Sequence, residues 1–295
     1  MYRIGVSTPC RIDEEMFKKY SEAGITHMEV SVSKELSDEL DFAKLLEWSK
    51  KYGVELYSFH LPFWPFAEID ISNPDIAVAS VEYLKGFIDK GTAVGIDKYI
   101  IHPSGEPIEE NDRPLRMATA KKSLAILAEH AEGKGAVICV ENLPRTCLGR
   151  DSRDILELLS CDSRLVACFD TNHLLEEDPI EFINKIGNKI VTLHVSDYDF
   201  KNERHWLPGE GLLDWQSILS ALEGVGYDGV WLYEINLDCP WTIKRPRDLT
   251  YEDFYRNAME LFENKPLTIF SAPVLDLKNG MNKEKYYGKR RNLRK

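Results

Sequence analysis

The chain has 295 residues, 43% of them hydrophobic, and a formal net charge of −12. This length and apolar content suffice for one large domain or two small ones with a full hydrophobic core. The negative charge argues against a broad nucleic-acid surface, and no apolar run is long enough to span a membrane.

The N-terminus, MYRIGVSTPC, lacks the apolar core of a signal peptide. The six cysteines show no C-x-x-C spacing, and two of them, Cys139 and Cys168, lie in apolar, strand-like runs. Such cysteines are typical of reduced thiols in a protein core. We therefore expect a cytoplasmic protein without a disulfide framework.

Short β-branched runs alternate with amphipathic segments along the whole chain. We predict eight strands, in YRIGVS, HMEVSV, LYSFH, KYIIHP, AVICVEN, LVACFD, IVTLHVS and VWLYEI. Helical periodicity is clearest in DEEMFKKYSEAG, SVEYLKGFIDKGTAVG and MATAKKSLAILAEHAEGKG, which all end in glycine. Eight such units predict an α/β fold, a (β/α)8 TIM barrel over residues 1–265. An open doubly wound sheet is the alternative, disfavoured because no G-x-G-x-x-G follows the first strand.

Residues 266–295 differ from the rest and end in the basic sequence NKEKYYGKRRNLRK. We interpret them as a C-terminal extension outside the barrel, with a solvated tail. Contact between subunits and anion binding are the alternatives for this segment.

Chemically active side chains follow six of the predicted strands, where a TIM barrel assembles its active site. They are His60, His102, Glu141, Asp170 with His173, His194 with Glu203 and His205 in its loop, and Glu234. Glu29, on the second strand, is placed less tightly at a strand end than these residues are. Each residue alone has an ordinary structural explanation. Together they predict a divalent-metal site, because charges in a barrel mouth are costly unless they are paired or bind metal.

The motifs HPSG, VEN, DTNH, HVSD, RHWLPGEG and YEINL resemble those of the xylose isomerase-like TIM barrels. That superfamily includes sugar and sugar-phosphate isomerases and epimerases, inosose dehydratases, and endonuclease IV. The resemblance covers most of residues 1–265 and leaves out the C-terminal extension.

For the isomerase and epimerase branch, the resemblance implies one divalent ion held by Glu141, Asp170, His194 and Glu234. Mixed carboxylate and imidazole ligation suits Mn²⁺, Mg²⁺, Co²⁺ or Zn²⁺, and we expect no organic cofactor. The ion would chelate a small sugar or polyol, and Glu141 and Glu234 would transfer protons through an enediolate. The residues expected to contact the substrate are His60, His102, His173, Arg204, His205 and Trp64.

For endonuclease IV, the resemblance implies three Zn²⁺ ions. The additional ligands would be His60, His102, His173, Glu203 and His205, although Glu203 stands where that family has Asp. The rim stretch HLPFWPFAEIDIS has no Lys or Arg, which is poor for holding phosphates and favours the sugar substrate over abasic DNA. An inosose-type dehydratase is a further alternative, and a non-catalytic sugar-binding barrel is less favoured because both proton-transfer carboxylates are present. Homo-oligomerisation is left open.

Overall fold

The computed structural model describes residues 1–8, 12–32, 34–63 and 68–271, with only the backbone of residues 34 and 35. Eight strands lie in these ranges: β1 (Arg3–Ser7), β2 (His27–Val30), β3 (Glu55–His60), β4 (Lys98–Ile101), β5 (Val137–Glu141), β6 (Val166–Asp170), β7 (Ile190–His194) and β8 (Val230–Tyr233). Their bounds lie within two residues of the predicted runs.

Helices alternate with the strands. They are α1 (Glu14–Glu22), α2 (Lys34–Ser37), α3 (Phe42–Tyr52), α4 (Ala77–Thr92), α5 (Arg113–Glu132), α6 (Ser152–Leu159), α7 (Pro179–Ile186), α8 (Trp215–Gly224) and α9 (Tyr251–Phe262), with a 3₁₀ turn at Gly187–Lys189. No helix among the described residues is long and apolar enough to cross a membrane.

The sheet is parallel throughout, in the order β7-β6-β5-β4-β3-β2-β1-β8. Beyond the end of β7, Val195 pairs in parallel with Tyr233 of β8, and the amide of Val195 donates to Leu232 O at 2.8 Å. These contacts nearly close the sheet on itself. The predicted (β/α)8 TIM barrel is confirmed, and all eight strands point their carboxyl ends to the same rim.

Aspartate side chains begin five of the helices. They accept backbone N–H groups of the first turns of α1, α3, α6, α7 and α8, and they are Asp13, Asp41, Asp151, Asp178 and Asp214. Each cap satisfies an amide that has no partner within its helix, which stabilises a helix by about 1 kcal/mol. The helices are therefore fixed locally at the points where the strand-end loops pass into them.

An apolar cluster lies in the barrel below its rim. Ile100, Cys139 and Cys168 form a buried cluster on neighbouring strands, and both thiols are free. Burial raises the pKa of each thiol, for Cys139 to about 12. These two cysteines are core thiols, as predicted.

Residues 266–271 lie against the barrel. The Leu267 side chain sits beside Gly209, Thr268 N donates to Glu260 Oε2 at 2.7 Å, and Ser271 N donates to Glu210 Oε1 at 3.0 Å. The separation of a C-terminal extension at residue 266 stays a prediction, and its basic end lies outside the described residues.

Candidate metal centre

Four adjacent strand ends bring Glu141, Asp170, His194 and Glu234 together, and we call these four residues the deep group. One potential ligand atom from each lies within 4.8 Å of the others. Glu141, Asp170 and His194 are the last residues of β5, β6 and β7, and Glu234 directly follows β8. The first three are buried and Glu234 is half-buried. Strand geometry, rather than a loop, therefore sets their separation.

The Nδ1 atom of His194 faces the three carboxylates. It lies 3.0 Å from Glu141 Oε1, 3.6 Å from Glu234 Oε2 and 3.8 Å from Asp170 Oδ2. Glu141 Oε2 and Asp170 Oδ2 are buried without a hydrogen-bond partner among the described residues. Buried oxygens are normally satisfied, and oxygen atoms with one imidazole nitrogen form a donor set for a divalent first-row ion or Mg²⁺. The deep group fits such an ion.

Electrostatic coupling within the deep group separates its pKa values. Burial opposes ionisation of Glu141, but His194 and His102 outweigh it and hold the pKa of Glu141 well below its usual range. The same balance, through His194 and His205, lowers the pKa of Glu234 to about 2. Burial, together with the charges of Glu234 and Glu141, raises the pKa of Asp170 well above its usual value. Glu141 and Glu234 are thus the ionised carboxylates of the group.

A second cluster, which we call the outer group, consists of His173, Glu203 and His205. Their potential ligand atoms also lie within 4.8 Å of one another. His173 comes from the loop after β6, and the other two come from the loop after β7. The Asn172 side chain joins the loops, because its Oδ1 accepts the backbone N–H of Arg204 at 2.9 Å and of His205 at 3.4 Å. Burial lowers the pKa of His173 and so favours its neutral form.

His60 and His102 flank the deep group on the third and fourth strands. Their Nε2 atoms lie 3.3 Å and 3.2 Å from Glu141 Oε2. His60, Glu141 and His194 form a further set of potential ligands within 4.8 Å. Glu141 consequently has imidazole rings on several sides.

Three of these histidines are anchored in the same way. The Nδ1 atoms of His60, His173 and His205 lie 3.0, 2.9 and 3.0 Å from the backbone oxygens of Leu61, Asn142 and Glu234. A carbonyl oxygen only accepts, so each Nδ1 carries the proton. In the neutral ring each Nε2 then keeps its lone pair, the arrangement found for histidine ligands of metals.

An open cavity of about 510 Å³ lies above these groups. Seven of the nine positions implied by the endonuclease IV resemblance line it: His60, His102, Glu141, His173, Glu203, His205 and Glu234. Phe63 also lines it, with its ring centroid 3.9 Å from that of His102, and offers an apolar face. Trp64, a predicted substrate contact, lies outside the described residues.

Arg145 is a cavity residue that the sequence analysis did not single out. Its guanidinium pairs with Glu106, lies 2.9 Å from Glu203 Oε1 and donates to Asn202 Oδ1 at 2.8 Å. Arg145 thereby connects three loops and holds one member of the outer group. The sequence signal that could have identified Arg145 as a rim residue is its position in ENLPRTC, just after the strand that ends at Glu141.

Arg204 was predicted to contact substrate. Its guanidinium lies 2.9 Å from Asp199 Oδ2, and it is not among the described residues that line the cavity. The substrate contact stays a prediction without geometric support here.

Asp197, which follows His194 in HVSD, organises the long loop after β7. Its carboxylate accepts from Gly209 N at 2.8 Å, Leu213 N at 3.2 Å and Trp215 Nε1 at 2.9 Å. A side chain at Gly211 would collide with Asp197. The Pro-Gly-Glu-Gly turn is therefore needed to fold the loop around this buried carboxylate.

The sequence model of the family described as "Xylose isomerase-like TIM barrel" matches residues 17–263. The chain belongs to this family. The resemblance stated from the motifs is confirmed, and it extends over most of the described barrel.

Curated relatives carry different names. An uncharacterised protein of Methanocaldococcus jannaschii is 29% identical over 63% of this chain and 66% of its own length. Fructoselysine 3-epimerase of Escherichia coli O157:H7 is 26% identical over 39% of this chain and 44% of its own length. A probable endonuclease 4 of Geobacillus sp. (strain WCH70) is 25% identical, with 54% and 57% covered. The chain thus spans two thirds or less of these relatives.

Solved structures share the fold. A D-tagatose 3-epimerase-like protein superposes with a TM-score of 0.71 at 24% identity, covering 80% of this chain and 91% of the other. D-psicose 3-epimerase from Clostridium cellulolyticum H10 gives 0.69 at 18% identity, covering 81% and 86%.

Proposed function

We propose that the protein is a divalent-metal-dependent epimerase or isomerase of a ketose or a related polyol. The observation that carries this proposal is the deep group, in which oxygens of Glu141, Asp170 and Glu234 lie around the Nδ1 atom of His194. One of them, Asp170 Oδ2, is buried without a hydrogen-bond partner among the described residues. The two ionised carboxylates of the group, Glu141 and Glu234, line an open cavity. The residues proposed as metal ligands and those proposed to transfer protons would therefore share one place.

A divalent ion held by the deep group would supply Lewis-acid polarisation of a carbonyl and a neighbouring hydroxyl. Glu141 and Glu234 then act as the bases, since a carboxylate must be ionised to remove a proton from carbon. Removal by one carboxylate and return by the other, once it is protonated, inverts the carbon. Return to the neighbouring carbon isomerises the sugar instead.

The cavity walls suit a small polar substrate. The Nε2 atoms of His173 and His205 can accept hydrogen bonds from hydroxyl groups when no ion occupies them. Phe63 offers an apolar face to a sugar ring. The same chemistry is supported by the names of a sequence relative, a fructoselysine 3-epimerase, and of a protein that shares the fold, a D-psicose 3-epimerase.

Metal content and proton exchange test the proposal. The protein is stripped with a chelator, reloaded with Mn²⁺ or Co²⁺, and incubated in D₂O with a panel of ketohexoses, ketopentoses and inososes. NMR should show deuterium at a carbon next to the carbonyl only with the reloaded wild type. Metal-free protein and Glu141→Gln, reloaded identically, are the controls. A loaded wild type that exchanges no proton in any of these substrates would contradict the proposal.

A second candidate is a multi-metal phosphodiesterase of the endonuclease IV kind. The observation that favours it is the common anchoring of His60, His173 and His205, which directs three Nε2 lone pairs toward possible further ions. Several ions around one cavity would suit a phosphate ester, because they would bind its oxygens and activate water.

Ion stoichiometry separates the two candidates. Elemental analysis of gently purified protein should give about one exchangeable ion per chain for the epimerase. Two or three tightly held Zn²⁺ ions, with nicking of an abasic-site duplex that is lost in His173→Ala, would establish the phosphodiesterase instead. His130→Ala, far from the site on α5, is the matched control.

A further inference from the structure

Glu29 is a buried carboxylate that the deep group does not include. It lies on β2, across the barrel from β5 and β6, and its side chain is 0% exposed. It is absent from the described residues that line the cavity. A charged side chain in such a place requires partners, because burial of an unpaired charge is strongly unfavourable.

Among the described residues, three donors surround the Glu29 carboxylate. Ser7 Oγ donates to Oε1 at 3.0 Å and Ser58 Oγ donates to Oε2 at 2.8 Å. His194 Nε2 lies 2.9 Å from Oε1. Ser7, Glu29 and Ser58 come from three neighbouring strands, so the barrel wall itself fixes the carboxylate.

This contact determines which nitrogen of His194 faces the deep group. The oxygen that Glu29 presents already accepts from Ser7, so it acts as an acceptor toward His194. Nε2 therefore carries a proton and stays paired with Glu29. Nδ1, at 3.0 Å from Glu141 Oε1, is then the nitrogen that would release its proton and turn its lone pair to an ion in the deep group. His60, His173 and His205 present the opposite nitrogen, because their Nδ1 atoms are anchored by neutral carbonyl oxygens.

We propose that Glu29 is a positioning residue for the metal site: it fixes the orientation and tautomer of His194 and strengthens His194 as a ligand. The inference rests on the proposed metal-binding function of the deep group. A carboxylate behind a histidine ligand raises the basicity of that ligand more than a carbonyl does, and its loss typically weakens metal binding about 10- to 100-fold. Glu29 touches no substrate and acts only through His194.

Co²⁺ binding to metal-free protein tests the role. Calorimetry should show that Glu29→Gln weakens binding of the tightest Co²⁺ about 10- to 100-fold. The visible spectrum of bound Co²⁺ should change as well, because the field of one nitrogen ligand changes. Ser58→Ala, which removes one donor to Glu29, should have a smaller effect in the same direction.

Glu55→Gln is the matched control. Glu55 also pairs with a histidine, at 3.5 Å from His27 Nε2, but at the opposite end of the barrel. This variant should bind Co²⁺ with the affinity and spectrum of the wild type. If Glu29→Gln binds Co²⁺ with the affinity and spectrum of the wild type, only the proposed role of Glu29 is overturned. If the wild type binds no Co²⁺, the proposed metal site is overturned as well. Bound Co²⁺ without sugar turnover would overturn only the epimerase.

Should Glu29→Gln fail to fold, nitrogen-15 NMR of the Zn²⁺-loaded wild type gives the answer. A protonated Nε2 on His194 with a metal-bound Nδ1 supports the inference. A proton on Nδ1 overturns it.

Discussion

The deep group and the outer group both contribute residues to one cavity but are built differently. Glu141, Asp170 and His194 end adjacent strands, so the ladder of the barrel fixes their backbone. Glu203 and His205 depend on a long loop, whose backbone is held by the Asn172 side chain. A site on strand ends is preorganised by the fold, whereas a site on loops is only as rigid as the hydrogen bonds of those loops.

The pairing of charges within the two groups also favours the deep group as the tighter ion site. The deep group keeps buried carboxylate oxygens without a hydrogen-bond partner among the described residues. In the outer group, Glu203 already faces a cation, Arg145, at 2.9 Å. An ion entering the deep group competes with His194 for Glu141 Oε1 but also meets Asp170 Oδ2, which has no hydrogen-bond partner among the described residues. An ion entering the outer group meets a single carboxylate, that of Glu203, which is already paired with Arg145. We therefore expect the deep group to bind its ion more tightly.

The largest expected effect contrasts Glu141→Gln with Glu203→Gln. Loss of a proton-transferring carboxylate should lower kcat about 10²- to 10⁴-fold. Glu203→Gln should retain at least about a tenth of wild-type kcat if only the deep group is catalytic. Steady-state kinetics with the substrate found by NMR measures both. Equal losses in the two variants would make the outer group part of the same catalytic unit.

Metal-dependent stabilisation should distinguish the groups next. At a Mn²⁺ concentration 100 times the dissociation constant, binding adds about 2.7 kcal/mol to the free energy of unfolding. Differential scanning calorimetry should show the Tm increase in wild type and Glu203→Gln. Asp170→Asn should abolish it. A Tm increase that survives in Asp170→Asn and disappears in Glu203→Gln would reverse the assigned order of affinity.

The loop after β7 offers a smaller, structural test. Asp197→Asn changes a carboxylate that accepts from four donors in the loop and α8, and should lower the free energy of unfolding by about 1–3 kcal/mol. Urea denaturation of the metal-free protein measures this loss. The deep group should keep its ion affinity to within about threefold, because the substitution loosens only the loop and leaves the strand ends in place. A larger loss of deep-group affinity would show that the loop and the strand ends are coupled.

Arg145→Gln should have the smallest effect. Partly exposed ion pairs contribute about 0.2–1 kcal/mol, so freeing Glu203 should strengthen binding of a second ion by no more than about fivefold. Calorimetric titration of a second Zn²⁺ into protein with a filled deep group measures it. Weaker second-ion binding in Arg145→Gln would mean that Arg145 supports the ligand geometry of Glu203 instead of competing for it.

Much of the candidate site followed from local sequence patterns. Alternation of β-branched runs and amphipathic segments predicted the parallel strands, and residues that end parallel strands must meet at one rim. Glu141, Asp170 and His194 could thus be grouped before any coordinates, although their metal-binding role stays a prediction. The cap of α8 by Asp214 is likewise a local feature, because an aspartate cap acts within one turn of the chain.

Other features depended on tertiary structure. Glu29 was judged less tightly placed, yet its carboxylate lies against Ser7, Ser58 and His194, which are distant in sequence. Arg145 gains its role from Glu106 and Glu203 on two other loops. The sequence by itself determined which side chains reach the rim, because strand period and helix caps are local. Only the closed barrel decided which nitrogen each histidine presents and which charges face each other, because those contacts join segments far apart in the chain.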